Sequence, residues 1–202
     1  GKYGLITCGH GSKEGWEIYR NESGKKGYKI GKVVKSYFKS GDGAFDACLI
    51  EVEPNVKVRG SMKGLVLKNK EGKIPVYGVA EIDSGKQIFY QGYKTGRNEL
   101  RYMEMCDRFG TDDITGIVVN IHDMYLFQTN NPNADRAGES GSPVAQNCKG
   151  FKIGLLRPFS NKVIGLLSTT MPEYGIKVQP IMPVLNQLQK DGYAVEPLIK
   201  GR

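Results

Sequence analysis

The chain has 202 residues, 27 of them glycine, and a formal net charge of +8. This length is enough for one domain or for two small lobes with a sizeable core. No apolar run approaches the roughly 18 residues that a membrane-spanning helix needs, and no signal-peptide pattern opens the chain, so we expect no membrane partner.

The composition favours an all-β protein. Valine, isoleucine, tyrosine and threonine recur in short runs between turns, and long amphipathic periodicity is nearly absent. The basic residues are scattered through turns such as 25–26 and 68–73. A basic balance attracts nucleic acid, anionic surfaces or acidic substrates, but it is also typical of a solvated surface, which we prefer here.

The cysteine pattern predicts no metal site. The four cysteines form no C-x-x-C pair, and the chain has only two histidines. Cys48 lies in an apolar run and is predicted to be a buried thiol. The count allows two disulfides, but the spacing demands none.

The first predicted strand, residues 3–8, ends at a glycine-flanked histidine, His10. This arrangement places an imidazole at the end of a sheet, where it can face a cleft. A structural histidine is the competing interpretation. Residues 16–20 and 28–38 are predicted to form the next two strands.

Asp46 stands directly before an apolar strand. A buried carboxylate must be paired or hydrogen-bonded, and a histidine N–H would satisfy it. Capping by backbone N–H groups is the alternative. The competing carboxylate, Asp42, lies between two glycines and is predicted to occupy an exposed turn.

A turn-rich, basic stretch at 56–71 divides the chain into predicted lobes 1–65 and 66–202. His122-Asp123 falls between two predicted strands and is interpreted as a turn. A helix is predicted over 183–190, with proline at its start and glycine after its end. The strands predicted in the second lobe are 74–82, 87–93, 100–105, 114–121, 124–129, 151–156, 162–168 and 176–180.

Ser140 lies in the stretch Gly138-Glu139-Ser140-Gly141-Ser142-Pro143. Glycines let the backbone turn sharply and bring main-chain N–H groups close to whatever the serine attacks. A glycine-serine surface turn is the competing interpretation. The choice depends on a histidine and an aspartate elsewhere in the chain.

Three stretches together resemble the motifs of chymotrypsin-like serine proteases. Thr7-Cys8-Gly9-His10 is similar to Thr-Ala-Gly-His, and Asp46-Ala47-Cys48-Leu49 is similar to Asp-x-Ala-Leu. The Ser140 stretch is similar to Gly-Asp-Ser-Gly-Gly-Pro. The order His, Asp, Ser along the chain is also that of the family.

Residues 29–34 and 178–185 resemble the small bacterial branch that includes streptogrisins and α-lytic protease. The resemblance covers about residues 3–189. It implies two perpendicular six-stranded antiparallel β-barrels with a C-terminal helix and an active site between the barrels.

The resemblance also implies roles for individual residues. Ser140 would be the nucleophile, His10 the general base and then acid, and Asp46 the group that holds the imidazole. The N–H groups of Gly138 and Ser140 would form the oxyanion hole. The reaction would be hydrolysis of a polypeptide through an acyl-enzyme, without a cofactor.

The resemblance places substrate binding at Ser168, Thr169 and Thr170, which would pair with the substrate backbone. Ser168 is chosen over the similar stretch at 154–156, which lacks a following serine. The place that carries an acidic residue in trypsin-like enzymes is Ala134, although Asp135 adjoins it. With Ile176 and Thr170 narrowing the pocket, we expect an uncharged residue before the cleaved bond.

Several features depart from the family pattern. His10 is followed by Gly11 where the family often has cysteine, and Ser142 replaces a glycine. The missing disulfide leaves both a secreted and a cytosolic or viral-polyprotein origin open. The chain also begins only a few residues before His10, so the first barrel is either incomplete or completed by the tail 193–202, an upstream segment or a partner chain.

Three functions compete on the sequence. An active serine endopeptidase accounts for all three motifs. A catalytically inactive protease fold used as a binding module is the alternative, favoured by the short N-terminus. A nucleic-acid-binding β protein would show steep salt dependence, but it leaves the His–Asp–Ser order unexplained.

Overall fold

A computed structural model describes residues 3–22, 25–57, 61–63, 73–92, 94–149, 159–171 and 175–193. Short runs of β-branched and aromatic residues bounded by glycine-rich turns form strands, so the predicted all-β class is confirmed. The predicted strand at 151–156 and most of the tail lie outside the described residues. The elements are β1 (Gly4–Thr7), β2 (Glu17–Glu22), β3 (Lys25–Ser36), β4 (Cys48–Val52), β5 (Ser61–Lys63), β6 (Lys73–Val79), β7 (Ile88–Gly92), β8 (Gly96–Thr111), β9 (Val118–Thr129), β10 (Pro143–Lys149), β11 (Phe159–Met171), β12 (Gly175–Pro180) and α1 (Ile181–Lys190).

The chain forms two compact units. Unit 1 comprises Gly1–Val58 and Asp107–Asp123, and unit 2 comprises Arg59–Cys106 and Met124–Arg202. The sequence predicted a single division at residue 65. The chain also returns to unit 1 within the long strands β8 and β9, because the connected ends of these strands belong to unit 1. We call these connected ends, residues 107–123, the hairpin end.

Unit 1 contains a four-stranded antiparallel sheet in the order β1-β4-β3-β2. Its register places Ile50 opposite both Leu5 and Val33. These apolar side chains pack together with Cys48 and Ile18 and form the core of the sheet. The core therefore lies beside the strand that follows Asp46.

Unit 2 contains the predicted six-stranded barrel. The strand order β10-β7-β8-β9-β12-β11 closes on itself because β11 also pairs with β10. β6 joins β11 as a parallel neighbour. The buried side chains inside the barrel are Ile88, Tyr90, Leu100, Tyr125, Phe127, Val144, Ile164, Leu167, Ile176 and Val178.

The predicted turn at His122-Asp123 is wrong, because β9 runs continuously from Val118 to Thr129. Asp123 has a φ of 58°, a left-handed conformation that kinks the strand without ending it. Aspartate tolerates this conformation better than most residues. The kink coincides with the boundary between the two units.

The predicted helix is confirmed, but it begins at Ile181 rather than at Pro183. Pro183 lies in the first turn, where the backbone N–H has no partner within the helix. Ile181, Val184 and Leu188 are buried, and the helix packs against β11. No helix in the described ranges is both long and apolar enough to span a bilayer.

Candidate active site

Asp46 is fully buried two residues before β4. Its Oδ1 accepts hydrogen bonds from the backbone N–H groups of Gly9 at 2.9 Å and His10 at 2.8 Å. Its Oδ2 lies 2.7 Å from Nδ1 of His10. Since a buried carboxylate is costly unless it is hydrogen-bonded, both partners considered from the sequence, the histidine ring and backbone N–H groups, contribute here.

Gly9 allows this close approach. A Cβ at Gly9 would lie 2.8 Å from both the Ala47 carbonyl oxygen and Cβ of Phe38, closer than real Cβ atoms pack. The glycine before the histidine is therefore required by backbone proximity to the Asp46 segment. The sequence identified this glycine as part of a motif, and the packing supplies the physical reason.

Arg108 is a further partner of Asp46 that sequence reasoning missed. Its Nη1 donates to Oδ2 of Asp46 at 2.6 Å, and its side chain is 17% exposed. The Phe38 ring packs edge-on against His10, with ring centroids 6.2 Å apart, and lies 5.6 Å from the Arg108 guanidinium carbon. Arg108 comes from β8 in the hairpin end, and no local pattern around it signals this contact.

Asp112, also in the hairpin end, supports the residue that follows the histidine. It accepts hydrogen bonds from the backbone N–H groups of Thr115, at 2.7 Å, and of Gly11. Burial alone would raise the pKa of Asp112, but the hydrogen bonds from Thr115 and Gly11 hold that pKa below its usual value. The side chain of Ile114 would lie 3.1 Å from a Cβ at Gly11.

The Ser140 turn is built as its glycines suggested. Gly138 and Gly141 have φ values of +85° and +84°, which L-residues with side chains rarely adopt. Oγ of Ser140 donates to the Ser168 carbonyl oxygen at 3.2 Å. The N–H of Gly141 donates to the Leu167 carbonyl at 2.7 Å, which ties the turn to β11.

Glu139 anchors this turn, although the sequence argument assigned it no role. It is buried, and Oε1 accepts hydrogen bonds from the backbone N–H groups of Lys94 at 2.7 Å and Thr95 at 2.8 Å. Oε2 accepts from the Tyr90 hydroxyl at 3.2 Å. A Cβ at Gly92 would overlap the Glu139 carboxylate, so the missing side chain there leaves room for it.

Arg136 shapes the loop before the turn. This buried side chain donates from Nε to the Tyr90 hydroxyl at 2.7 Å and from Nη1 to the Ala134 carbonyl at 3.2 Å. Nη2 donates to Oγ1 of Thr129 at 3.1 Å. The guanidinium therefore fixes the backbone at the position that the sequence assigned to the primary pocket.

Asp135 does not stand alone beside Ala134. Its carboxylate accepts from the Ala137 N–H and lies 3.0 Å from the Lys94 ammonium. The Ala137 hydrogen bond and the Lys94 charge lower the pKa of Asp135. The carboxylate is thus already paired with a cation of its own unit.

The remaining predicted binding residues lie on β11 and β12. Ser168 is buried at an irregularity in the pairing of these strands, Thr169 is partly buried and Thr170 is exposed. Ile176 is fully buried in the barrel core opposite Thr170 in register. Whether Ile176 and Thr170 narrow a pocket stays a prediction.

Unit 1 brings His10 and Asp46 together, and unit 2 brings Ser140 next to Ser168. The approach of Ser140 to His10 stays a prediction. Asp42 is exposed, as predicted.

All four cysteines are free thiols, and the predicted burial of Cys48 is confirmed. Burial, followed by the Asp46 charge, raises the pKa of the Cys8 thiol to about 12. Burial likewise raises the pKa of the Cys48 thiol. Both thiols are therefore neutral at physiological pH.

No protein-family model and no curated relative matches the chain. Among solved structures, Thermobifida fusca protease A is 19% identical with a TM-score of 0.62, over 93% of this chain and 83% of that one. Cellulomonas bogoriensis chymotrypsin is 15% identical with a TM-score of 0.60, over 95% and 85%. Nocardiopsis protease is 18% identical with a TM-score of 0.59, over 94% and 84%. The resemblance to chymotrypsin-like serine proteases is thus confirmed at the level of the fold.

Proposed function

We propose that the chain is a serine endopeptidase in which His10, Asp46 and Ser140 act together. The observation that carries the proposal is the 2.7 Å contact between the buried Asp46 carboxylate and Nδ1 of His10. An imidazole held at Nδ1 by a carboxylate has Nε2 available as a base. The glycine-flanked Ser140 and the protease fold of the neighbours support the same reaction.

The proposed reaction begins with attack of Ser140 Oγ on the carbonyl carbon of the scissile peptide bond. His10 Nε2 takes the hydroxyl proton, and the N–H groups of Gly138 and Ser140 stabilise the oxyanion. His10 then gives the proton to the leaving amine, which departs as the acyl-enzyme forms. Water, deprotonated by His10, hydrolyses the ester and releases the acid and the serine.

The hydroxyl proton of Ser140 is directed at the Ser168 carbonyl in this structure, with 3.2 Å between the oxygens. Transfer to His10 requires the hydroxyl hydrogen to turn away from that acceptor. Rotation about a hydroxyl bond is a small change beside the chemical step. The hydrogen bond therefore describes a resting arrangement of the proposed nucleophile.

The proposed specificity is for an uncharged residue before the cleaved bond. Ala134 carries no charge, and the neighbouring Asp135 is paired with Lys94 at 3.0 Å. A basic substrate side chain would have to compete with this cation for the carboxylate. A peptide-library profile dominated by Lys, Arg or Glu at this position would contradict the proposed preference.

The proposed activity is tested by labelling with a fluorophosphonate, which reacts with activated serines. We expect the wild-type chain to be labelled, and Ser140→Ala and His10→Gln to lose the label. Ser142→Ala is the matched control, because it removes a partly exposed hydroxyl from the same turn. Folded wild-type protein that takes up no label would instead favour a protease-fold binding module.

A further inference from the structure

The Asp46 carboxylate is shared between two cationic or potentially cationic groups. Nδ1 of His10 and Nη1 of Arg108 lie 2.7 Å and 2.6 Å from the same oxygen, Oδ2. Asp46 is fully buried, and Arg108 is 17% exposed. The proposed mechanism gives Asp46 the task of supporting an imidazolium, yet its charge is already balanced by a permanent cation.

We infer that Arg108 is a positioning residue for the His10–Asp46 pair: its guanidinium fixes the buried carboxylate that orients the imidazole. This role deepens the proposed function and rests on it. Guanidinium and imidazolium nitrogens that share one oxygen lie within about 5 Å of each other, and like charges at this separation repel. Arg108 therefore places a permanent positive charge close to the imidazole.

The structure also places an aspartate and two thiols near this pair. Asp112 carries a negative charge that interacts with His10. The thiols of Cys8 and Cys48 are uncharged because burial raises the pKa of each. Arg108 is thus the positive charge in direct contact with the carboxylate that orients the histidine.

The hairpin end holds Arg108 in this position. Val119 bridges to Gly41 in the loop before Asp46, and Nδ2 of Asn120 donates to Oδ1 of Asp42 at 3.3 Å. Asp112 accepts a hydrogen bond from the N–H of Gly11, the residue after His10. The segment that carries the guanidinium therefore contacts the rest of unit 1 both at the loop before Asp46 and at the residue after His10.

The test follows the protonation of His10 by NMR, which needs no proteolysis. The chain has two histidines, so His122→Gln identifies the His10 signals. We expect Arg108→Gln to raise the pH midpoint of the His10 titration, because the substitution removes the positive charge that shares Oδ2 of Asp46 with the imidazole. Arg108→Lys, which keeps the charge, should restore most of the wild-type midpoint.

Arg101→Gln is the matched control, because it removes an exposed positive charge from the same strand. It should leave the midpoint unchanged. If folded Arg108→Gln keeps the wild-type midpoint, or if Arg101→Gln moves it equally, the inference is overturned. If activity is measurable, the acidic limb of kcat/KM should move with the His10 midpoint.

A second measurement needs no substitution at Arg108. In the wild-type chain, the guanidinium resonances of Arg108 should titrate with the same midpoint as the His10 ring. If the Arg108 chemical shifts do not change over the pH range in which His10 titrates, the inference is overturned even if Arg108→Gln fails to fold. If Arg108→Gln moves the His10 midpoint but the wild-type chain takes up no fluorophosphonate, the proposed function is contradicted. If the chain is labelled but the midpoint does not move, only this inference is contradicted.

Discussion

At the scale of single residues, the candidate site residues are held by buried polar groups, such as Asp46 beside His10 and Glu139 in the Ser140 turn. His10 between glycines, Asp46 before an apolar strand and Ser140 between glycines each carried a local signal. Glu139 and Arg136 carried none, because their partners at Tyr90, Thr95 and Thr129 are distant in sequence or depend on the fold. Their roles follow from burial and hydrogen bonding.

Glu139 provides a prediction at this scale. Glu139→Ala leaves the N–H groups of Lys94 and Thr95 without their carboxylate acceptor, which should lower the free energy of unfolding by about 1–3 kcal/mol. The Ser140 turn would also loosen, so fluorophosphonate labelling should slow. Urea unfolding and labelling rates measure the two effects.

Glu139→Gln is the matched comparison, since glutamine has the same shape as glutamate and keeps one acceptor oxygen. It should lower the free energy of unfolding and the labelling rate less than the alanine substitution does. Equal stability of wild type and Glu139→Ala would show that the turn does not depend on this anchor.

At the scale of elements, the hairpin end supplies contacts to the His10–Asp46 pair that the sequence did not predict for any segment. It brings Arg108 to Asp46 and Asp112 to Gly11, the residue that follows His10. The sequence predicted a short strand at 100–105 and a break at 122–123. The structure has long strands instead, whose connected ends belong to unit 1.

The contribution of Asp112 to the stability of the folded protein should depend on pH. Folding lowers the pKa of Asp112 below its usual value of 3.8. The ionised carboxylate therefore stabilises the folded protein at pH values above 3.8, and this stabilisation is lost as the pH falls through the lower pKa of the folded state. Wild type should therefore be more stable than Asp112→Asn at pH 6, and the difference should shrink below about pH 3.8. Urea unfolding at several pH values measures it.

Asp113→Asn is the control for this prediction, because Asp113 is the exposed neighbour in the same turn. It should show little difference from wild type at any of these pH values. A stability gap between wild type and Asp112→Asn that stays constant with pH would contradict the assigned hydrogen bonds.

At the scale of the whole molecule, the candidate site residues are divided between two units, and the four cysteines are free thiols. Stability rests instead on the cores of the sheet and barrel and on buried polar anchors such as Asp46 and Glu139. The cysteine count had left two disulfides open, and the structure decides against them.

The free thiols lead to a prediction for the complete chain. Adding a reductant should leave the urea unfolding midpoint unchanged, because no covalent cross-link is broken. Cys8 and Cys48 should react with an alkylating reagent only on unfolding, since burial raises the pKa of both thiols and the thiolate is the reactive form. A midpoint that falls on reduction would contradict the free state of the thiols.

The sequence by itself determined the all-β class, the C-terminal helix and the three candidate catalytic residues. These features depend on alternation, glycine turns and short motifs, which neighbouring residues encode together. Only the tertiary structure decided which groups surround Asp46, since Gly9 and Arg108 reach it from 37 and 62 residues away. Such contacts arise from the packing of whole strands, because burial of a carboxylate selects donors by proximity in space and leaves no pattern along the chain.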